Sequence, residues 1–462
     1  MTLSTHSFPH RALLAMSFLL PIHHVLAHDL GAVLQSIQAD AQAPLSSLSV
    51  LALHDGQVVY EGHFGHRRMN GFAPDASTAT NTQTRYRIAS VSKLVTTIGA
   101  MRLVDAGRLD LDADVSQYLG FNLRNPHFPD APITTRMLLS HTSTLRDDAG
   151  YVFDLQTTLQ DMLSPKGKLY GAGAMWAGSA AATNNAPGQY FQYVNLNFGV
   201  LATVMEAITK ERFDQYMQRA VLGPLGLQGG FLAENLQQDD VKNVATLYRK
   251  GQDGAWKSKG PWVAQTDDFQ DQLPPARAGL AGYVPGSNAT ALGAQGGLRI
   301  SVAGLGKILQ MLMDQGEVKT GSGKGAKSLR LLSAAAVAVM QNAEWRYTAQ
   351  PPNGDTLDGE FYAWGLGMQI YTDTSLLNPS GKPVGDSLVP GGGITGFGHA
   401  GFAYGLQCLL FYDPVRRIGL VYALGGSGVD PALHKGRYSS FNQWEERIID
   451  ALYTHALKGH IP

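Results

Sequence analysis

Ser90 and Lys93 stand three residues apart in the fragment Ser90-Val91-Ser92-Lys93. On a helix that spacing puts the hydroxyl and the ammonium on one face, one turn apart. At the first turn, free N–H groups and the positive dipole end favour negative charge. Burial in such a setting lowers the lysine pKa until it can accept or relay the serine proton. S-x-x-K also arises by chance, and Ser92 has the alternative role of a capping residue. A second fragment, Tyr193-Val194-Asn195, is the only Y-x-N in the chain and precedes an apolar run. In an extended turn, residues two apart point the same way. A phenol beside an ammonium is an acid–base relay, because the cation favours the phenolate. The Asn195 carboxamide can hold both the lysine and a substrate amide; its alternative role is an N-cap, and that of Tyr193 a core aromatic. The third fragment runs Phe397-Gly398-His399-Ala400-Gly401-Phe402 into an apolar strand. A glycine-flanked strand lets a substrate backbone lie alongside, with its N–H groups free to bind a carbonyl oxygen. Alone, His399 reads as a satisfied loop histidine.

These fragments need elements to hold them. Residues 92–105 carry Leu94, Val95, Ile98, Met101 and Leu103 at helical spacing and stop at Gly107. Further helices are expected at about 29–40, 196–210, 211–221, 302–315, 332–342 and 440–457. Two alternating runs around Asp55-Gly56 predict a hairpin, and residues 404–412 and 417–425 flank Asp413-Pro414 as two strands. Residues 228–290 and 316–328, rich in Gly, Gln, Asp, Lys and Ser, look like surface insertions or lobe loops. Strands at both ends with helices between them predict an α+β chain of the broad α/β class. One antiparallel sheet is assembled from both ends, at about residues 28–85 and 290–462. A mainly helical lobe, about 86–289, completes a single two-lobed domain over 28–462, with the site in the cleft.

Composition excludes other classes. The 462 residues are 44% hydrophobic and 16% charged, which excludes disorder. With 36 Lys and Arg against 37 Asp and Glu, the net charge of -1 gives no pull toward nucleic acid. The single cysteine, Cys408, excludes an intrachain disulfide and a thiolate zinc site, and reads as a buried core residue without chemistry. Arg11, an apolar run and Val25-Leu26-Ala27 have the layout of an export signal over residues 1–27, cleaved after Ala27. A periplasmic or secreted product is therefore expected. No later stretch has the ~20 apolar residues of a membrane span. Gly321–Lys327 lacks the full P-loop pattern, Gly391, Gly393 and Gly396 lack the following helix of a dinucleotide site, and no H-E-x-x-H or G-x-S-x-G occurs. No metal or organic cofactor is implied.

Taken in order, SVSK at 90–93, YVN at 193–195 and HAG at 399–401 resemble the motifs S-x-x-K, Y-x-N and K-T-G or H-x-G of the serine β-lactamases of the class C type. More closely they resemble the related DD-peptidases, D-aminopeptidases and carboxylesterases. The flanking RYRIASVSK, ITTRMLLSHTSTL, PGQYFQYVN, VLGPLGL and GAQGGLRIS are similar too, so the resemblance covers about residues 45–425. It implies a β-lactamase/transpeptidase-like fold and serine acyl transfer. By the same resemblance Ser90 is the nucleophile, and Lys93 and Tyr193 are the base pair. Asn195 and His399 hold substrate, Gly401 belongs to the substrate strand, and the N–H groups of Ser90 and Phe402 form the oxyanion hole. The partner implied is a small or peptidic acyl substrate.

Three departures carry weight. Phe402 replaces a small residue and is expected to narrow or grease the acyl pocket. Thr144 stands where glycine is common, which leaves that loop's conformation open. His399 replaces a full cation with a group whose ordinary pKa is about 6.5, so a β-lactam carboxylate is held more weakly. The expected substrate is a D-amino acid peptide or amide, or a carboxylic ester, with weak β-lactam hydrolysis. Alternatives are a true β-lactamase and a non-hydrolytic penicillin-binding or cell-wall sensor protein.

Overall fold

The structure is a computed structural model that describes residues 22–70, 73–178, 185–252, 255–320 and 327–460. Most of the expected export signal, residues 1–21, lies outside the described residues, as does most of Gly321–Lys327.

A nine-stranded sheet dominates the described residues. Its strands run in the order Trp345–Arg346, Ala363–Trp364, Gln369–Tyr371, Gly396–Ala403, Leu406–Asp413, Ile418–Leu424, Ser47–His54, Gln57–Asn70 and Ala73–Ala79. Every neighbouring pair is antiparallel. The expected hairpin is present, and its turn Asp55-Gly56 has φ of 46 and 73°, which suits a tight two-residue connection. Chain-end strands meet at the centre, where Ser47–His54 pairs with Ile418–Leu424 from Leu48↔Leu424 to His54↔Ile418.

Both faces of this sheet are covered, so its central strands are continuously apolar. Leu406–Asp413 and Ile418–Leu424 are buried at every position. Alternation sends Cys408, Leu410, Tyr412, Val421 and Ala423 toward a large core beneath the helices. Leu409, Phe411, Leu420, Tyr422 and Leu424 face a second core under the two terminal helices. The first terminal helix is Ile22–Gln38, and it anchors through Leu30, Leu34 and Ile37. It starts before the expected residue 29 and crosses the expected cleavage position. The last helix, Gln443–Leu452, is shorter than expected and continues as a wider turn over Tyr453–Leu457.

The helical side contains Val91–Asp105, Leu196–Thr209, Phe213–Met217, Val302–Met313 and Ala334–Gln341, close to their expected positions. Two expectations change. Residues 228–290 hold a small three-stranded sheet, Ala255–Trp256, Leu247–Gln252 and Trp262–Thr266, which short polar strands do not announce. It is tied down by the buried Arg299–Asp267 pair, with Nη2 2.7 Å from Oδ1. The second change concerns the H-x-G fragment. It does not enter the 404–412 strand but forms its own, Gly396–Ala403, because Tyr404 and Gly405 (φ 57 and 88°) make a two-residue turn.

Candidate active site

The short strand Tyr86–Arg87, paired with Arg299–Ile300, leads directly into the Val91–Asp105 helix. Between them Ala89 is left-handed, at φ 46°, a conformation costly for a residue with a Cβ. This forced bend sets Ser90 at the N-cap position, half-buried, with its side chain free of capping. Lys93 follows one turn later and is fully buried. Its ammonium uses all three donors: 3.0 Å to Ser90 Oγ, 2.8 Å to Asn195 Oδ1 and 2.8 Å to the Gln295 carbonyl. Burial pulls the Lys93 pKa down to about 7, with the charge of Asp147 acting in the opposite direction.

Tyr193 lies above this group, its ring centre 4.9 Å from Lys93 Nζ. Burial raises the phenol pKa well above its ordinary value, opposed by a hydrogen bond with the Ser90 hydroxyl. The resting phenol is therefore protonated, and the expectation that the cation would favour phenolate is reversed, because desolvation wins. Asn195 is oriented without ambiguity: Nδ2 donates to Asp147 Oδ2 at 2.9 Å, so Oδ1 faces Lys93. Asp147 also accepts from the N–H groups of Asn195 and Leu196, at 2.8 and 2.9 Å, and so caps the Leu196–Thr209 helix.

The Gly396–Ala403 strand closes the group. A Cβ on Gly401 would lie 2.5 Å from the Ile88 carbonyl and 3.2 Å from the Ser90 nitrogen, so only glycine allows this approach. A two-residue hairpin closes on a hydrogen-bonded pair, here Ala403↔Leu406, and bonded and non-bonded pairs alternate from it. Phe402 opposite Gln407 is then non-bonded, and its N–H points to the other edge. That edge is open, since Gln369–Tyr371 covers only Gly396–Gly398. The Ser90 N–H likewise donates to no group among the described residues. Two free N–H groups beside a serine hydroxyl are the geometry that stabilises an oxyanion.

His399 is buried, 2% exposed, and tied through Nδ1 to the Ala400 carbonyl at 2.6 Å. That bond makes Nδ1 the protonated nitrogen and Nε2 an acceptor, which has no partner among the described residues. Burial, reinforced by Lys93, lowers its pKa to about 3, so the ring is neutral. Phe402 is 60% exposed on the lip of the cavity. All seven residues singled out by motif thus meet around one cavity of about 530 Å³ or, for Lys93, directly beneath it.

Sequence reasoning missed three supports. Asp147 stands just after the fragment ITTRMLLSHTSTL and Gln295 within GAQGGLRIS, but nothing local marks the one as a cap or the other's carbonyl as a lysine acceptor. Buried His141 underlies the Tyr193 ring, at 4.5 Å between centres, and its Nδ1 accepts from the Val194 N–H at 3.1 Å. In the same loop Thr144 is left-handed, φ 71°, with Oγ1 accepting from Asn125 Nδ2 at 3.0 Å. The loop therefore takes the glycine-like conformation despite its threonine. Cys408 is buried in the core, 1% exposed, and burial raises its thiol pKa.

Comparison with known proteins places the chain in a family and a fold. A stretch of Protein flp of Staphylococcus aureus (strain N315) is 24% identical over 204 residues, 44% of this chain and 36% of the relative. The chain thus matches little more than a third of that curated relative. Among solved structures, EstCE1, a hydrolase with promiscuous acyltransferase activity, superposes with a TM-score of 0.59 at 22% identity, over 93% of this chain and 99% of the other. D-amino acid amidase from Ochrobactrum anthropi SV3 gives 0.60 at 16% identity, over 92% and 99%. The fold is shared with both. The Beta-lactamase family model matches residues 34–439, nearly the whole of the chain, and the chain belongs to the beta-lactamase family.

Proposed function

We propose that the chain hydrolyses a D-amino acid amide or peptide, or a carboxylic ester, through an acyl-enzyme on Ser90. The observation that carries this reading is the buried Lys93 ammonium, 3.0 Å from Ser90 Oγ and with its pKa brought to about 7. Near neutral pH, a large fraction of Lys93 is then the free amine, a base in direct contact with the nucleophile. Ser90 Oγ forms a bond to the substrate carbonyl carbon while its proton passes to Lys93. The oxyanion rests on the N–H groups of Ser90 and Phe402. As the carbon–leaving group bond breaks, the protonated Tyr193 supplies the leaving group's proton and is reprotonated by Lys93. Water then attacks the ester of Ser90, giving up its proton along the reverse route, and the acid is released with Ser90 restored.

Poor β-lactam turnover follows from His399. A neutral ring whose one N–H is already given to Ala400 offers a carboxylate neither charge nor donor. In this reading residues 1–27 direct export; Leu30, Leu34 and Ile37, which anchor the first helix, all lie beyond Ala27. The test is labelling of the chain and of Ser90→Ala by a fluorophosphonate and a fluorescent penicillin. Turnover of a nitrophenyl ester, a D-alanyl nitroanilide and a reporter cephalosporin is measured alongside. Labelling that survives Ser90→Ala refutes the nucleophile; stable penicillin labelling without any turnover indicates a sensor. Preferred cephalosporin turnover indicates a β-lactamase.

A further inference from the structure

The catalytic cavity does not end at the motifs. It follows the open edge of the Gly396–Ala403 strand and is lined at one end by Arg87, Tyr151 and Tyr404, at the other by Glu360, Lys435 and Glu445. The Arg87 guanidinium sits 4.8 Å above the Tyr404 ring, just past the end of the strand. Glu360 is anchored beside the strand's start, because its carbonyl accepts from Gln369 Nε2 at 2.8 Å and Gln369 pairs with Gly398. From 398 to 404 an extended chain covers about 20 Å. The Arg87 guanidinium and the Glu360 carboxyl group therefore stand at opposite ends of the cavity, with Ser90 between them and Lys435 on the Glu360 side.

The carboxylates at the second end differ in what they do. Asp386 accepts from Thr372 and Thr374 N–H groups at 2.7 Å, and Glu445 is held by Tyr422 Oη at 2.7 Å and by the Asn442 N–H at 3.0 Å. These are structural. The Glu360 carboxylate has no hydrogen-bond or ion-pair partner among the described residues, although Lys435 acts on it at longer range. Burial raises the Glu360 pKa to about 7, against the pull of Lys435, so at pH 8 the acid is largely ionised and a cation at this end stabilises it. A second group at this end is also unpaired: Nε2 of His399, buried in the cavity wall with a lone pair and no donor. Both groups call for positive charge or donors, and both reject an anion. Glu360 adjoins Phe361, whose ring stacks on Tyr193 at 5.4 Å, so this end is the one into which a group protonated by Tyr193 departs.

We infer that the leaving-group side of the cavity is a cation subsite built on Glu360, selecting esters or amides whose departing alcohol or amine carries an ammonium and rejecting those that carry a carboxylate. This deepens the hydrolase reading and rests on it for the position of the bond cleaved. It also separates the chain from carboxypeptidase chemistry, whose leaving group ends in a carboxylate.

The test uses three butyrate esters with the same two-carbon spacer on the full chain at pH 8, with butyrate release measured. They are butyrylcholine, its neutral isostere 3,3-dimethylbutyl butyrate, and 3-(butyryloxy)propanoate. Expected is a kcat/KM for the choline ester at least about tenfold above the neutral ester, and a carboxylate ester about tenfold below it. Glu360→Gln is expected to bring the choline-to-neutral ratio within about threefold of one, a change in a ratio that a structural role would not produce. A wild-type ratio near one, a favoured carboxylate ester, or a ratio untouched by Glu360→Gln overturns the subsite. The wild-type comparison stands even if the variant does not fold. If no ester is turned over, protection of Ser90 from the fluorophosphonate by choline against 3,3-dimethylbutanol gives the same ratio. Ester hydrolysis that survives Ser90→Ala overturns the hydrolase reading at Ser90 instead.

Discussion

Lys93 is the group on which the chemistry turns, and its ionisation is measurable. An ordinary lysine, with a pKa of 10.5, is neutral in only about one molecule in three thousand at pH 7. Lowered to about 7, half of the Lys93 population is the free amine there. Burial thus raises the fraction of active base by on the order of a thousandfold, which corresponds to about 4–5 kcal/mol. For a nitrophenyl ester, log kcat/KM is expected to rise with unit slope up to an inflection near pH 7 and then level off. Asp147→Asn removes the charge that holds this pKa up, so the inflection is expected to move to lower pH. Lys93→Arg keeps the charge but has no accessible free base, so the rising limb is lost along with most of the activity. The same shift enters stability. Because the folded-state pKa lies below the unfolded value of 10.5, the native chain binds fewer protons between about pH 7 and 10.5. Over that window Lys93 adds about 1.4 kcal/mol of stability per pH unit as pH rises, and this is lost as pH falls through 7. Denaturant titrations of wild type and Lys93→Met across pH 6–10 isolate that slope. A flat pH–rate profile between pH 5.5 and 8, or an inflection near 10, would falsify the assignment of Lys93 as the resting base.

Three further outcomes follow from the geometry. Gly401→Ala places a methyl 2.5 Å from the Ile88 carbonyl, displacing the Phe402 N–H from the oxyanion position; kcat is expected to fall about a hundredfold with circular dichroism unchanged. Asp267→Asn leaves the buried Arg299 charge unpaired, and chemical denaturation is expected to show a loss of about 3–5 kcal/mol. His399→Lys restores a cation beside the substrate strand, and the ratio of fluorescent-penicillin acylation to ester acylation is expected to rise; a ratio that does not change removes His399 from the account of β-lactam discrimination.

Much of the fold is legible along the chain because apolar spacing reports burial directly. Leu94, Val95, Ile98 and Met101 name the face of the Val91–Asp105 helix that packs into the core. The central strands are legible as continuous apolar runs. What escapes is structure with little apolar content: the Leu247–Gln252 sheet, whose strands beyond the buried Leu247 and Tyr248 are short and partly exposed, and which the Arg299–Asp267 pair ties down. The Gly396–Ala403 strand escapes for another reason. Its turn uses Tyr404 with positive φ, where glycine or asparagine is the usual signal.

At the site, the division is between spacing and environment. Sequence alone determines that Ser90 and Lys93 share a helical face, that Tyr193 and Asn195 travel together and that glycines flank His399, because each is a relation between near neighbours in the chain. Protonation is decided only in three dimensions. Lys93 becomes a base because Asn195, 102 residues away, and Gln295, 202 residues away, close over it and exclude water. Tyr193 stays protonated and His399 neutral for the same reason: desolvation sums over every group packed around a side chain, whatever its place in the chain. Asp147 as the cap that fixes Asn195, and Glu360 as an acid left without a partner beside Tyr193, are visible only once the fold has brought them there.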